Sequence, residues 1–466
     1  MCVPTPVVPT NCRAQQVLHC LSRDCSHNHT SWDTFQQDQQ ACFTAVRVWW
    51  PQPHPTDATL GKLATLVTQL SIDRLDQLQS QCSTWAGPLA AAVYLPLLNP
   101  EPQLSQRSDA QIAAAVALLD ELFTSSQARR TAAVKPAVGT DRTAAFWSNT
   151  TSRGSKAGSS KDGKSRAGKS PALLRAAKQL TPAVTDPSLE LWRGCQLRLV
   201  LVHELVSEER AVALYPINSL RNFARLLADT PLIADIDADM LPSLSLCESL
   251  APGAAGAQGA GMGAALLEGV EAQQRVYIVP AFETRCGGPL FGDAIAVSDK
   301  ASLGRMDGGG CLGRFRARVA PWSHLPTNFD VWHHGDGTPY HVAYTPEFEP
   351  WFLSSRQKSL FYDTRFRAYG KNKVVQVAAM NASGVSFWVH GSGFLVHRTH
   401  AESKPRQQFL RTKYSKASLG DEAGASIFRH IEAMWNVSQV EMRRTGYSPR
   451  VEDVLTRCLA DLPWWQ

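Results

Sequence analysis

No stretch of this 466-residue chain is apolar over the 18 or more residues that a bilayer-crossing helix requires. The longest apolar runs, such as Leu89 to Leu98, are short and carry proline. No basic-then-apolar leader follows Met1. The expectation is a soluble chain, trimmed from a longer form. No cysteine pair has the C-x-x-C spacing of a structural zinc site. The net charge is only +6, and its excess is local. Arg129 to Lys178 holds 12 Lys/Arg against 2 Asp/Glu, which leaves the remainder at about −4. Within that segment, Ser152 to Ser165 has no aromatic residue between its charges. Base stacking is therefore missing, and nucleic acid is not an expected partner.

The composition is that of a globular enzyme, 44% hydrophobic and 19% charged, over a length that exceeds one simple core. Eleven cysteines are present, five of them (Cys2, Cys12, Cys20, Cys25, Cys42) in the first 42 residues. Their irregular gaps suit a small disulfide-stapled segment, and the odd total leaves one thiol free or paired outside the chain. The acceptor pattern N-x-S/T stands at Asn28, Asn149, Asn381 and Asn436. Together these features point to a secretory, lumenal setting.

Period and punctuation give the elements. Lys62–Leu70 reads as a strand, and Ser71 caps a helix whose Ile72, Leu75 and Leu78 share a face. After Trp85-Ala86-Gly87-Pro88, a second strand runs from Leu89 to Leu95. This β-α-β opening favours a parallel sheet in an α/β protein. Residues 101–125 read as helix, 197–203 as strand, 218–227 as helix and 276–283 as strand. Five segments follow: a cysteine-rich lead at 1–58; the first part of the catalytic domain at 59–125; a basic, low-complexity insertion at 126–188, expected to be disordered; the rest of the catalytic domain at 189–424; and a helical tail at 425–466. Residues 251–265, rich in Gly and Ala, read as a loop. The aromatic run from Trp322 to Phe352 suits either a core or a sugar-stacking wall.

The run Thr230 to Pro242 contains Asp235, Asp237 and Asp239. Alternate residues of a strand point to one side, so Asp237 and Asp239 are expected to aim together past the strand end. Paired carboxylates make a hard-oxygen site for Mg²⁺ or Mn²⁺. In open α/β sheets, ligands bind at the carboxyl ends of the strands. A cation there neutralises a nucleotide-sugar diphosphate.

Several blocks in fixed order resemble glycosyltransferase family 49, the LARGE-type and beta-1,4-glucuronyltransferase-type enzymes. They include Leu66–Leu75, Trp85–Leu89, Leu220–Ala224 before the D-x-D, Val279–Thr284, Pro326–Trp332, Phe348-Glu349-Pro350, Tyr362–Phe366, Tyr369–Lys373 and Gly393–His397. The resemblance covers roughly residues 60–100 and 190–420. It implies a GT-A fold, a Rossmann-like mixed sheet flanked by helices, and a Golgi enzyme whose family is anchored as type II membrane proteins. It implies an inverting, metal-dependent transferase that moves a sugar, glucuronic acid in the first instance, from a UDP-sugar to a glycan acceptor. The metal would be held by Asp237, Asp239 and His397, with His400 a rival. Glu349 is the first candidate for general base and Asp363 the second. Thr68, Gln69, Arg221, Asn222 and Lys373 are candidates for holding the donor, with Lys373 or Arg365 meeting its carboxylate. Lys371 departs from the family, which carries an aromatic residue there. A donor such as UDP-xylose or UDP-N-acetylglucosamine, and an inactive glycan-binding relative, are the alternatives. A homodimer is compatible with the sequence.

Overall fold

Three apolar segments with alternating faces build the centre of the structure. This computed structural model describes residues 12–22, 43–52, 63–98, 105–131, 195–206, 214–250, 262–307, 310–414, 422–444 and 446–466. In chain order the strands are β1 (Thr44–Trp49), β2 (Ala64–Ser71), β3 (Pro88–Leu98), β4 (Gln196–Val206), β5 (Leu232–Asp235), β6 (Met240–Pro242), β7 (Arg275–Val279), β8 (Ala281–Thr284), β9 (Leu312–Arg314), β10 (Tyr340–Val342), β11 (Trp351–Ser355), β12 (Ser386–Val389) and β13 (Leu395–His397). The helices are α1 (Cys12–Leu21), α2 (Leu75–Thr84), α3 (Ser105–Thr131), α4 (Ile217–Leu226), α5 (Leu244–Ser249), α6 (Met262–Gln273), α7 (Gly288–Ala296), α8 (Lys300–Asp307), α9 (Phe329–His334), α10 (Asn372–Ala382), α11 (Lys404–Tyr414), α12 (Glu422–Arg444) and α13 (Asp453–Asp461).

Among the described residues, nine strands form one sheet in the order β1-β4-β3-β2-β5-β11-β7-β12-β10. Strands β2, β3, β4 and β5 run parallel, while β1 and β11 join antiparallel. Period-2 alternation sends Leu66, Leu70, Leu89, Ala91, Val93, Leu197 and Leu199 to one core with α2 and α3. It sends Val67, Ala90, Ala92, Tyr94, Val200 and Val202 to a second core with α1, α4 and α13. Both faces are covered, as parallel strands require. Each buried Leu or Val contributes about 1.5–3 kcal/mol. This α/β arrangement agrees with the GT-A expectation.

Strand β2 is paired to β3 on one side and β5 on the other. The chain winds outward from β2 through α2 to β3 and returns through α4 to β5. The crevice at the carboxyl ends of β2 and β5 is therefore a topological switch point, where α/β sheets receive ligands. A second, four-stranded sheet, β6-β13-β8-β9, stands next to it.

Several boundaries differ from the sequence reading. Val276–Glu283 is two strands in two sheets, parted at Pro280, which cannot donate to a ladder. Helix α3 runs on to Thr131, past the expected start of the basic insertion. Residues 262–265 open helix α6 rather than closing a loop. Residues 44–49, grouped by composition with the cysteine-rich lead, are the edge strand beside β4. Of the aromatic run, Phe329, Trp332, Phe348, Trp351 and Phe352 are buried core, whereas Trp322 is 54% exposed. The basic stretch from 132 onward, the loop at 251–261, Lys62, Asn28, Asn149, Cys2, Cys25 and Cys42 lie outside the described residues.

The early cysteines are not all joined locally. Cys20 bonds Cys458, 438 residues along the chain, and so ties α1 to α13. Cys82–Cys195 and Cys286–Cys311 are the other disulfides among the described residues, and Cys247 stands outside any of them. A crosslink closing so long a loop restricts the unfolded ensemble strongly. Replacing Cys20 and Cys458 together by Ser is expected to cost about 2–5 kcal/mol, read as a lower urea midpoint under non-reducing conditions. An unchanged midpoint would show that the bond contributes nothing.

Candidate active site

The acidic run lies just beyond β5. The strand ends at Asp235, and Asp237 and Asp239 occupy the turn that leads into β6. Strand alternation is thus not what orients them. The turn is closed by Met240 N–H to Asp237 C=O at 2.9 Å. The buried Gln81 of α2 donates to Asp237 O at 3.1 Å and to Met240 O at 2.9 Å. Nothing in the sequence singled out Gln81.

The two carboxylates face different partners. Asp237 Oδ1 accepts from Arg221 at 2.7 Å. Asp237 Oδ2 accepts from Lys373 Nζ at 2.9 Å and from the Trp351 indole N–H at 2.9 Å. Burial alone would raise its carboxyl, but Lys373 and Arg221 outweigh burial and hold it at about 2. Arg221 is aimed by Asn218 and Asn372, whose side-chain oxygens accept at 3.0 and 3.2 Å.

Asp239 Oδ2 lies 2.9 Å from His400 Nε2 and 3.5 Å from His397 Nε2. Against the effect of burial, the hydrogen bonds from the two histidines lower its carboxyl. Asp239 in turn raises His400. Ligand atoms of Asp239, His397 and His400 all lie within 4.8 Å of one another. Sheet register brings them there: β13 pairs with β6 so that His397 stands opposite Met240, and Arg398 N–H reaches Asp239 C=O at 2.8 Å. Asp237, expected in the metal set, stands outside this group. His400, the rival, is inside it. One carboxylate and two imidazoles form a mixed oxygen–nitrogen set that accepts a divalent transition metal.

An aromatic wall backs both clusters. Phe315 lies 5.3 Å from His397 and 5.1 Å from Trp351, centroid to centroid. His324 stacks on Trp351 at 5.4 Å, and Lys373 Nζ sits 3.9 Å over the same ring. Burial, Lys373 and Arg316 push His324 down to about 3, so its ring is neutral. Trp351 follows the Phe348-Glu349-Pro350 block, and neither it nor His324 is among the site residues to which the sequence points.

The remaining candidates are dispersed. Thr68 is buried, and its hydroxyl has no partner among the described residues. Gln69 Oε1 accepts from the Tyr215 hydroxyl. Asn222 is buried and clamps Tyr362, donating to its C=O and accepting from its N–H, both at 2.9 Å. Glu349 is half-buried, its N–H bonded to Ser323 C=O at 2.9 Å. Tyr369 is raised by burial first and by Glu349 second, and Arg316 is raised, against burial, by Tyr369 and Glu349. Asp363 is 1% exposed and chelated by Arg365, with Nε–Oδ1 3.0 Å and NH2–Oδ2 2.6 Å. It also accepts from the Tyr447 hydroxyl. That is the arrangement of a structural ion pair, and it commits Arg365. Lys371 pairs with Glu347 at 2.5 Å and faces Glu432 at 3.8 Å.

The sequence profile of a family described as glycosyl-transferase for dystroglycan matches residues 64–421. Xylosyl- and glucuronyltransferase LARGE2s of Gallus gallus is 26% identical over 450 residues, 94% of this chain and 46% of the relative. LARGE2 of Homo sapiens is 26% identical over 383 residues, 82% of this chain and 38% of the relative. LARGE1 of Gallus gallus is 33% identical over 208 residues, 44% of this chain and 25% of the relative. The chain thus spans less than half the length of these relatives. Because the matched region runs from β2 past α11, and so through the elements carrying Asp237, Asp239, His397 and His400, the chain belongs to glycosyltransferase family 49.

Proposed function

We propose that this chain is an inverting, metal-dependent transferase that moves glucuronic acid from a UDP-sugar to a glycan acceptor. The observation that carries the reading is the convergence of Asp239, His397 and His400 within 4.8 Å at the switch point of the sheet. These three residues would hold the metal. The mixed donor set favours Mn²⁺ over Mg²⁺, which prefers oxygen throughout. The bound ion supplies Lewis acidity to the leaving diphosphate.

The chain's own groups divide the remaining work. Lys373 and Arg221 place two cations around Asp237, a surplus of positive charge suited to an anionic donor. Thr68, with its unpartnered hydroxyl, and Gln69 lie towards the carboxyl end of β2, where the nucleoside would rest. Lys373, one of two cations that share the single carboxylate of Asp237, would meet the donor's carboxylate, whereas Arg365 is bound to both oxygens of Asp363. Glu349 would take the proton from the acceptor hydroxyl as its oxygen attacks the anomeric carbon opposite the departing UDP. UDP-xylose is the second reading for the donor. The relatives' names, which join xylosyl and glucuronyl transfer, favour it.

Three disulfides among the described residues support an oxidising compartment, the lumen of the secretory pathway and the Golgi in particular. No helix among the described residues is long and apolar enough to cross a membrane.

UDP release by the purified protein with glucuronyl and xylosyl donors should require Mn²⁺ and stop on chelation. Metal-independent release, or none with any UDP-sugar, would discard the reading. Asp239→Asn should weaken Mn²⁺ binding by at least about tenfold, measured by electron paramagnetic resonance, with the fold retained by circular dichroism. Unchanged affinity would remove Asp239 from the metal. Glu349→Gln is expected to lower kcat by about 10²–10⁴-fold. Asp363→Asn should instead cost about 3 kcal/mol of stability while folded protein keeps its turnover. The reverse pattern would exchange their roles.

A further inference from the structure

We infer that Asn381 is a site of N-linked glycosylation. Of the two acceptor patterns among the described residues, Asn381-Ala382-Ser383 is the one at a helix end. It closes helix α10, and Asn381, Ala382, Ser383 and Gly384 are all exposed. The side-chain amide of Asn381 makes no hydrogen bond among the described residues, so attaching a sugar to its nitrogen breaks no contact. Its backbone carbonyl accepts from Gly384 N–H at 3.0 Å. Gly384 holds φ at 81°, and a Cβ placed there would meet nothing within 4 Å. The surroundings are open. Asn436 is also exposed, but it lies within the 23-residue helix α12 and not at a helix end.

The position suits a permanent modification of an enzyme. Lys373 at the start of α10 contacts Asp237, and Asn381 lies eight residues on, about 12 Å along the helix axis. The glycan leaves the fold at the end of the helix remote from that contact.

The modification is made on the unfolded polypeptide, and the fold then has to accommodate it. A lipid-diphosphate-linked oligosaccharide is the donor, and a membrane-bound oligosaccharyltransferase brings it to the sequon. The amide nitrogen of Asn381 attacks the anomeric carbon and forms a C–N bond. The bond from that carbon to the phosphate oxygen breaks, the lipid diphosphate departs, and the nitrogen gives one proton to a base of the transferase. Ser383 supplies the hydroxyl that the sequon requires. The inference rests on the lumenal setting proposed above and not on the transfer chemistry, so loss of catalysis would leave the glycan in place.

The test uses the full-length protein secreted from eukaryotic cells. Peptide-N-glycosidase digestion in heavy-oxygen water followed by peptide mass spectrometry should find residue 381 converted to labelled Asp. Asn381→Gln and Ser383→Ala should each remove one glycan's gel shift, and Ser383→Thr should keep it. Turnover of Asn381→Gln should match the parent. Secreted protein whose Asn381 is unlabelled, or a gel shift that survives both removing substitutions, overturns the inference.

Discussion

One carboxylate kept ionised where water is scarce is the constraint around which the site is arranged. Asp237 is 24% exposed at its side chain, against 6% for Arg221 and 4% for Lys373. Two cations with so little solvent are costly unless an anion shares them. Asp237 supplies that anion and draws together α4, α10 and β11, whose Arg221, Lys373 and Trp351 all end on its two oxygens. Six non-glycine residues among those described have positive φ, and three of them belong to this part of the chain sequence. Glu347, Ala368 and Lys371 have φ of 67°, 67° and 57°, in a region that side chains seldom occupy. The last of these sets the start of α10, and hence the aim of Asn372 and Lys373.

The second constraint is register. His397 is 158 residues beyond Asp239 in sequence, and local propensity cannot join them. The pairing of β13 with β6 does so, and the loop after β13 adds His400. A slip of one residue would turn His397 to the other face of the small sheet. The metal-capable group is therefore a product of sheet pairing. The hold on Asp237 is instead made by side chains from helices and the neighbouring strand.

Much of the large sheet was legible because parallel strands buried on both faces leave continuous apolar runs. Leu89–Leu98 is of this kind, and so is Leu199–Val202 within β4. The carboxylates were legible as a short motif, and His397 as the end of a family block. The assignment of Asp237 was harder. A D-x-D pattern carries no record of two basic residues, 16 positions before and 136 positions after, that claim its first member. Gln81 was invisible for a similar reason: a polar residue inside an amphipathic helix looks the same whether it meets water or a turn. Pro280 could have revealed the change of sheet, since a ladder interrupted by proline rarely continues. Asp363 and Arg365, two apart, looked as ready for chemistry as for each other, and only burial separates the cases.

The bond between Cys20 and Cys458 imposes an order on biosynthesis. Its first sulfur emerges from the ribosome 438 residues ahead of its second. For that whole interval the thiol of α1 must stay reduced or be held by a temporary mate, and other early cysteines are close at hand in sequence. The native crosslink therefore waits until both α1 and α13 have been made, and any earlier pairing of Cys20 has to be exchanged before the two helices can be joined.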